Sequence, residues 1–149
     1  MEVLIDNQQN RLTIPSAHLK KTAMAILNAL GCHDGELSLL IVDDHAIANL
    51  NQTYRGRSGP TNVLAFSMNE GAFGDISPNL LGDVVISVET CQREADEAGT
   101  SFETHFNALL VHGILHLFGF DHEQSEEEDR RMRAKSEELL RHIGAMQPT

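Results

Sequence analysis

The chain has no tryptophan, a single tyrosine and two cysteines in 149 residues, and its 11 lysines and arginines face 22 aspartates and glutamates. Two cysteines, Cys32 and Cys91, are too few for a disulfide framework and form no C-x-x-C pair, so both read as buried or incidental thiols. The longest apolar stretch, around Leu109 to Phe120, is broken by His112 and His116 and is too short to span a bilayer. Residues Met1 to Asp6 lack a basic segment followed by a long apolar one, so no signal peptide is expected and a cytoplasmic location is inferred. The scarcity of cations excludes most. A net charge of −11 argues against tight, independent binding to nucleic acid, where lysine and arginine contacts to phosphate dominate affinity. A local basic patch or a bound divalent ion can still act within an acidic chain. The cations do cluster: Lys20 with Lys21, Arg55 with Arg57, and Arg130, Arg131, Arg133 and Lys135.

No repeat, low-complexity tract or linker divides the chain, so residues 1–149 are expected to form one domain with its own hydrophobic core. Val3–Asp6, Leu37–Val42, Val63–Ser67 and Gly82–Val88 read as strands, short and rich in aliphatic residues. Leu19, Ala23, Ile26, Leu27 and Leu30 recur at helical spacing after Ser16, a candidate N-cap, and Gly31 stops the run. A second helix follows Asp43 or Asp44 to about Tyr54, and a third runs from Glu89 to Ala98 before Gly99. Phe102–Phe118 is a long, mostly apolar helix, and Ser125 opens a terminal helix expected to fray from Gly144 onward. Loops fill 55–62 and the stretch from Met68 to about Leu80. The fold class is α+β: about four strands in a mixed sheet, packed against four or five helices, the central one carrying two metal-binding histidines.

Those histidines stand in the run His112-Gly113-Ile114-Leu115-His116-Leu117-Phe118-Gly119-Phe120-Asp121-His122. Positions i and i+4 share one helix face, so His112 and His116 can hold a single ion. Gly119 can end the helix in a left-handed conformation and turn the chain back, bringing His122 in from outside it. Three neutral imidazoles leave one position open for water, the layout of a catalytic zinc site. Zinc is the default, though nickel, copper or iron could occupy the same nitrogens.

The spacing resembles the zinc-protease motif H-E-x-x-H-x-x-G-x-x-H, with one disagreement: Gly113 stands where those enzymes carry their glutamate base. Glycine within a helix costs about 1 kcal/mol relative to alanine, which suggests a reason for it. A small residue beside the ion would leave room for a bulky substrate group, and the missing acid weakens a peptidase mechanism.

The run HGILHLFGFDH, together with LNQTYRGRSGPTNVLAFS and LLGDVVIS, resembles the YbeY family of bacterial metal-dependent endoribonucleases. The three blocks fall at 49–67, 80–87 and 105–122, in the family's order. The resemblance implies a four-stranded α+β domain, one zinc ion held by His112, His116 and His122, and a functional arginine at Arg55. It also implies cleavage of single-stranded RNA in ribosomal RNA maturation, especially at the 16S rRNA 3′ end, and a part in ribosome quality control. Its partners would be rRNA, the small ribosomal subunit and assembly factors such as an Era-type GTPase, with no membrane and no DNA. The aspartate and serine frequent in the family's T-D-V-L-S-F block are Asn62 and Ala65 here.

RNA needs less help than a peptide does, because its own 2′-hydroxyl can attack the adjacent phosphate; hydrolysis by activated water is equally open. Arg55 could donate two parallel hydrogen bonds to that phosphate. Asp121 could orient an imidazole, or simply shape a turn. His105, seven residues before His112, could contact substrate or move a proton, or line the cleft for structural reasons. His18, His33, His45 and His142 read as surface residues. Two other readings compete: a ribosome-assembly factor whose zinc is mainly structural, which the acidic composition favours, and a zinc peptidase or other metallohydrolase.

Overall fold

Alternating aliphatic residues set the sheet, and helix phase decides what covers it. The computed structural model describes residues 1–68, 80–121, 123 and 125–146. In chain order the elements are β1 (Glu2–Asn7), α1 (Ser16–Ala29), β2 (Glu36–Val42), α2 (Asp44–Arg55), β3 (Val63–Ser67), β4 (Leu80–Ser87), α3 (Val88–Ala98), α4 (Phe102–Leu117) and α5 (Glu126–Met146). The four strands lie in the order β1-β2-β4-β3; β1, β2 and β4 are parallel and β3 runs antiparallel at the edge. The expected α+β domain with a mixed sheet and five helices is what forms. Among the described residues no helix is long and apolar enough to cross a membrane.

One face of the sheet presents Val3, Leu37, Leu39, Ile41, Val84 and Ile86 to a core built from α1, α3, α4 and α5. The other presents Val42, Leu64 and Val85 to Ile47 of α2. Among the described residues α2 alone packs on that second face, which leaves Leu40 and Phe66 only partly buried. That asymmetry matters below.

Three of the boundaries that differ from the pattern in the sequence have a physical cause. The cap of α1 is Pro15, with no side-chain bond, rather than Ser16. β4 starts at Leu80, so Gly82 lies inside the strand with φ +141°, at the register shift between β2 and β4. A Cβ at Gly82 would collide with the Phe66 carbonyl, so only glycine lets these strands close up. α5 continues through Gly144 to Met146, because Ile143, 3 % exposed, anchors the last turns in the core. Residues 69–79, most of the expected loop from Met68 to Leu80, lie outside the described residues.

Asp43 caps α2 by accepting the Ala46 N–H at 2.9 Å. The next residue ties α2 to α3. Asp44 accepts hydrogen bonds from Ser87 Oγ (2.7 Å), Thr90 Oγ1 (2.6 Å) and Arg93 Nη1 (2.8 Å), while its N–H donates to Glu89 at 3.0 Å. Burial alone would push its carboxyl up, but the three donors and the Arg93 charge outweigh it and hold the group below the ordinary aspartate value of 3.8. A depressed folded pKa gives stability that is in place above 3.8 and is lost as pH falls through the lower folded value. Asp44→Ala is therefore expected to cost about 1–3 kcal/mol in urea titrations at neutral pH. The gap to wild type should close on acidification below 3.8; a gap constant with pH would contradict the clamp.

Candidate metal centre

α4 begins at Ser101, whose Oγ accepts the Thr104 N–H at 3.1 Å, and is apolar on nearly every side. It ends as its glycine demands. Gly119 takes φ +91°, its N–H donates to His116 O, and Phe120 N–H donates to Leu115 O, both at 3.1 Å. The chain thus turns back immediately after the second histidine. His122 lies outside the described residues.

His112 and His116 are half-buried, with ring centroids 4.7 Å apart and planes at 74°. Their Nε2 atoms face each other at 3.1 Å. Two nitrogens bound to one tetrahedral ion at about 2.0–2.1 Å would stand roughly 3.3 Å apart. The separation fits a shared ion; it also fits a shared proton between one donor and one acceptor nitrogen. Among the described residues no group of three or more histidine, cysteine, aspartate or glutamate side chains gathers, as follows when His122 is not among them.

Gly113 does not open space beside an ion. It is buried, and a Cβ there would come within 2.7 Å of Val84 Cγ1 and 3.2 Å of Val63 Cγ2. The glycine brings α4 down onto β4 and β3, so the expected room for a substrate group is corrected to close helix–sheet packing. With roughly 100° per residue, His112 and His116 lie about 60–100° round the helix from that contact. They are held at the flank of the helix by a backbone pressed onto the sheet.

Arg55 approaches the same edge strand from the other face. It is the last residue of α2, which Gly56 closes at φ +65°. Arg55 Nη2 donates to Ala65 O on β3 at 3.4 Å, a long bond on an exposed side chain. The loop beyond is pinned by a residue the sequence pattern did not single out. Asn51, 5 % exposed, donates through Nδ2 to Gly59 O at 3.0 Å and accepts Arg57 N–H on its own carbonyl at 3.3 Å. Its one signal was phase: it follows Ile47 by one turn and so faces inward.

His105 is not brought beside His112. Two helical turns separate them, about 10 Å along the axis, and His105 Nε2 pairs with Glu94 Oε1 at 2.8 Å. The same carboxylate accepts Asn62 Nδ2 at 3.0 and 3.3 Å, while Asn62 Oδ1 accepts Val63 N–H at 2.7 Å. This explains the asparagine: its amide donates to Glu94, whereas an aspartate would set two carboxylates against each other. The trio anchors the start of β3. Cys91, beside it on α3, is fully buried, and burial, then the Glu94 charge, pushes its thiol up to about 12, so it is inert. Asp121 Oδ1 accepts the Glu123 N–H at 2.9 Å, the work of a turn aspartate. His18, His33, His45 and His142 are exposed, as expected.

A parallel-antiparallel sheet with a half-buried imidazole pair on its covering helix defines a small α+β domain. The family described as Endoribonuclease YbeY matches residues 4–144. Endoribonuclease YbeY of Geobacter sulfurreducens is 50% identical over 141 residues, covering 94% of each chain. Endoribonuclease YbeY of Syntrophus aciditrophicus is 38% identical over 140 residues, covering 94% of this chain and 88% of that one. The solution structure of TM1509 from Thermotoga maritima shares the fold, with a TM-score of 0.69 and 23% identity over 97% of this chain and 90% of that one. The chain belongs to the YbeY family.

Proposed function

We infer that this chain is an endoribonuclease of ribosomal RNA maturation and ribosome quality control, with one zinc ion held by His112, His116 and His122. The observation that carries the metal assignment is the pair of Nε2 atoms facing each other at 3.1 Å. Family membership over nearly the whole chain carries the reaction and the substrate class. When bound, zinc supplies a Lewis acid that polarises a phosphoryl oxygen and lowers the pKa of an attacking water or hydroxyl. The chain's own groups do the rest. His112 and His116 are fixed by α4, and their neighbour Gly113 leaves no carboxylate at the base position of the peptidase motif. The 2′-hydroxyl of the substrate supplies a nucleophile already tethered to the phosphate, which suits a site without a protein base. Arg55 exchanges its long bond to Ala65 O for two charge-assisted bonds to the phosphate and stabilises the charge that develops there.

The proposed substrate is single-stranded rRNA near the 16S 3′ end, met on the small subunit among assembly factors such as an Era-type GTPase. Docking on a preformed particle suits a chain whose net charge is −11. Arg55→Glu is expected to lower cleavage of a labelled single-stranded RNA by about 100-fold or more while zinc content stays at one per chain. The same acidity favours a second reading, an assembly factor with a mainly structural zinc. That reading gains if Arg55→Glu sustains rRNA processing in cells while the purified wild type cuts nothing.

A further inference from the structure

The sheet face that α2 covers only in part holds a groove of about 340 Å³ lined by Leu40, Leu50, Tyr54, Phe66, Asp83 and Val85. Its floor is apolar and one wall is aromatic. Tyr54 is 68 % exposed and meets Phe66 edge-on, with centroids 5.4 Å apart and planes at 63°, which leaves a tyrosine face open. Phe66, Asp83 and Ser38 are register partners on β3, β4 and β2, so they stand side by side across this face about one strand spacing apart. The half-buried Asp83 carboxylate has no hydrogen-bond or ion-pair partner among the described residues. Arg55 follows Tyr54 directly and donates to Ala65 O next to Phe66; it and Arg57, two residues on, are exposed, with no carboxylate paired to either among the described residues.

Each feature matches one part of a nucleotide. An open aromatic face takes a base by stacking, which is how unpaired bases are generally held. The exposed Arg55 beside the groove, with Arg57 two residues along the chain, supplies positive charge for the adjoining phosphates and would repel a basic peptide that Asp83 alone could attract. A carboxylate presents two acceptor oxygens and no donor. Guanine alone offers two adjacent N–H donors on its Watson–Crick edge; adenine and cytosine offer one amino group, and uracil sets carbonyls against the carboxylate. We propose that this groove is a base subsite that takes an unpaired guanine of the single-stranded RNA, stacked on Tyr54 and read by Asp83. The inference rests on the endoribonuclease reading and adds a sequence preference to it.

Because Tyr54 is the only tyrosine, protein grown with 3-fluorotyrosine carries one fluorine reporter at the groove. The zinc-loaded protein is titrated with non-cleavable 2′-O-methyl pentamers bearing guanine or uracil at the centre, beside cleavage assays on unmodified RNA. The guanine pentamer should move the Tyr54 resonance and bind at least about tenfold more tightly than the uracil one, a difference near 1.4 kcal/mol. Asp83→Asn, an isosteric change at a half-buried site, should bring that ratio toward one with the free protein's spectrum still folded. Equal binding of both pentamers, or a guanine preference that survives Asp83→Asn, overturns the subsite; RNA cleavage in the same preparation then leaves the endoribonuclease standing. Neither cleavage nor binding removes both. A resonance moved by an arginine-rich peptide and by no oligonucleotide would make the groove a protein dock and the proposal wrong.

Discussion

Replacing His116 by alanine is expected to remove bound zinc and RNA cleavage together, with the rate falling at least about 100-fold. Even outer-sphere partners of metal ligands cost 10–100-fold in affinity or activity, and this change would delete one of the three proposed ligand nitrogens. Elemental analysis and a single-stranded RNA cleavage assay on one preparation of each protein measure both losses. Chelation supplies an independent readout. An ion that binds only the folded state stabilises it by about 2.7 kcal/mol at a hundredfold excess over its dissociation constant. EDTA should therefore lower the melting temperature of the wild type and stop its cleavage, with zinc restoring both. His116→Ala should already sit near the chelated value and barely respond. The imidazole is half-buried at the flank of α4, away from the helix–sheet seam at Gly113, and removing it takes no aliphatic side chain from the core. The variant is thus expected to remain folded, so lost cutting cannot be ascribed to lost structure. Cleavage that survives both chelation and the substitution would point to a contaminating nuclease and sink the metal assignment.

The parts of this molecule that were legible in the sequence are those fixed by local rules. A four-residue spacing placed His112 and His116 on one face, and a glycine after Phe118 was free to take φ +91°, so helix and turn follow from neighbours alone. The strands were likewise visible as aliphatic runs. What escaped depends on contacts across the fold. Glu94 meets Asn62 from 32 residues away and His105 from 11, and nothing local marks a helical glutamate as their common acceptor. Asn51 announces its burial only by phase. Gly113 was misread for a specific reason: α4 is apolar on almost every side, so no stripe in its sequence tells which residue touches the sheet. A glycine in such a helix suggests open space beside a ligand as readily as close packing. Only the positions of Val84 and Val63 decide between them.

Gly113→Glu tests that decision, because it writes the complete peptidase motif into this chain. The substituted Cβ would start 2.7 Å from Val84 Cγ1 and 3.2 Å from Val63 Cγ2, and the carboxylate beyond it would be forced among valines with no donor. Glutamate gains roughly 0.5 kcal/mol over glycine in helix propensity. Overpacking costs about 1–3 kcal/mol, and an unpaired buried charge several more. Against a total stability of about 5–15 kcal/mol the balance is strongly unfavourable. The melting temperature is expected to fall by on the order of 10 °C or more, or the protein to become insoluble, and no peptide hydrolysis should appear in a casein assay. Gly113→Ala separates steric from electrostatic cost: with no charge to bury, it should lose about 0–2 kcal/mol. Val84→Ala in the Gly113→Ala background should recover part of that loss despite its own cavity, a coupling that only direct contact produces. A soluble, stable Gly113→Glu protein would mean that position 113 faces open space beside the histidines. If it also cleaved peptides, the glycine would be a chemical choice rather than the seam by which helix and sheet hold His112 and His116 in place.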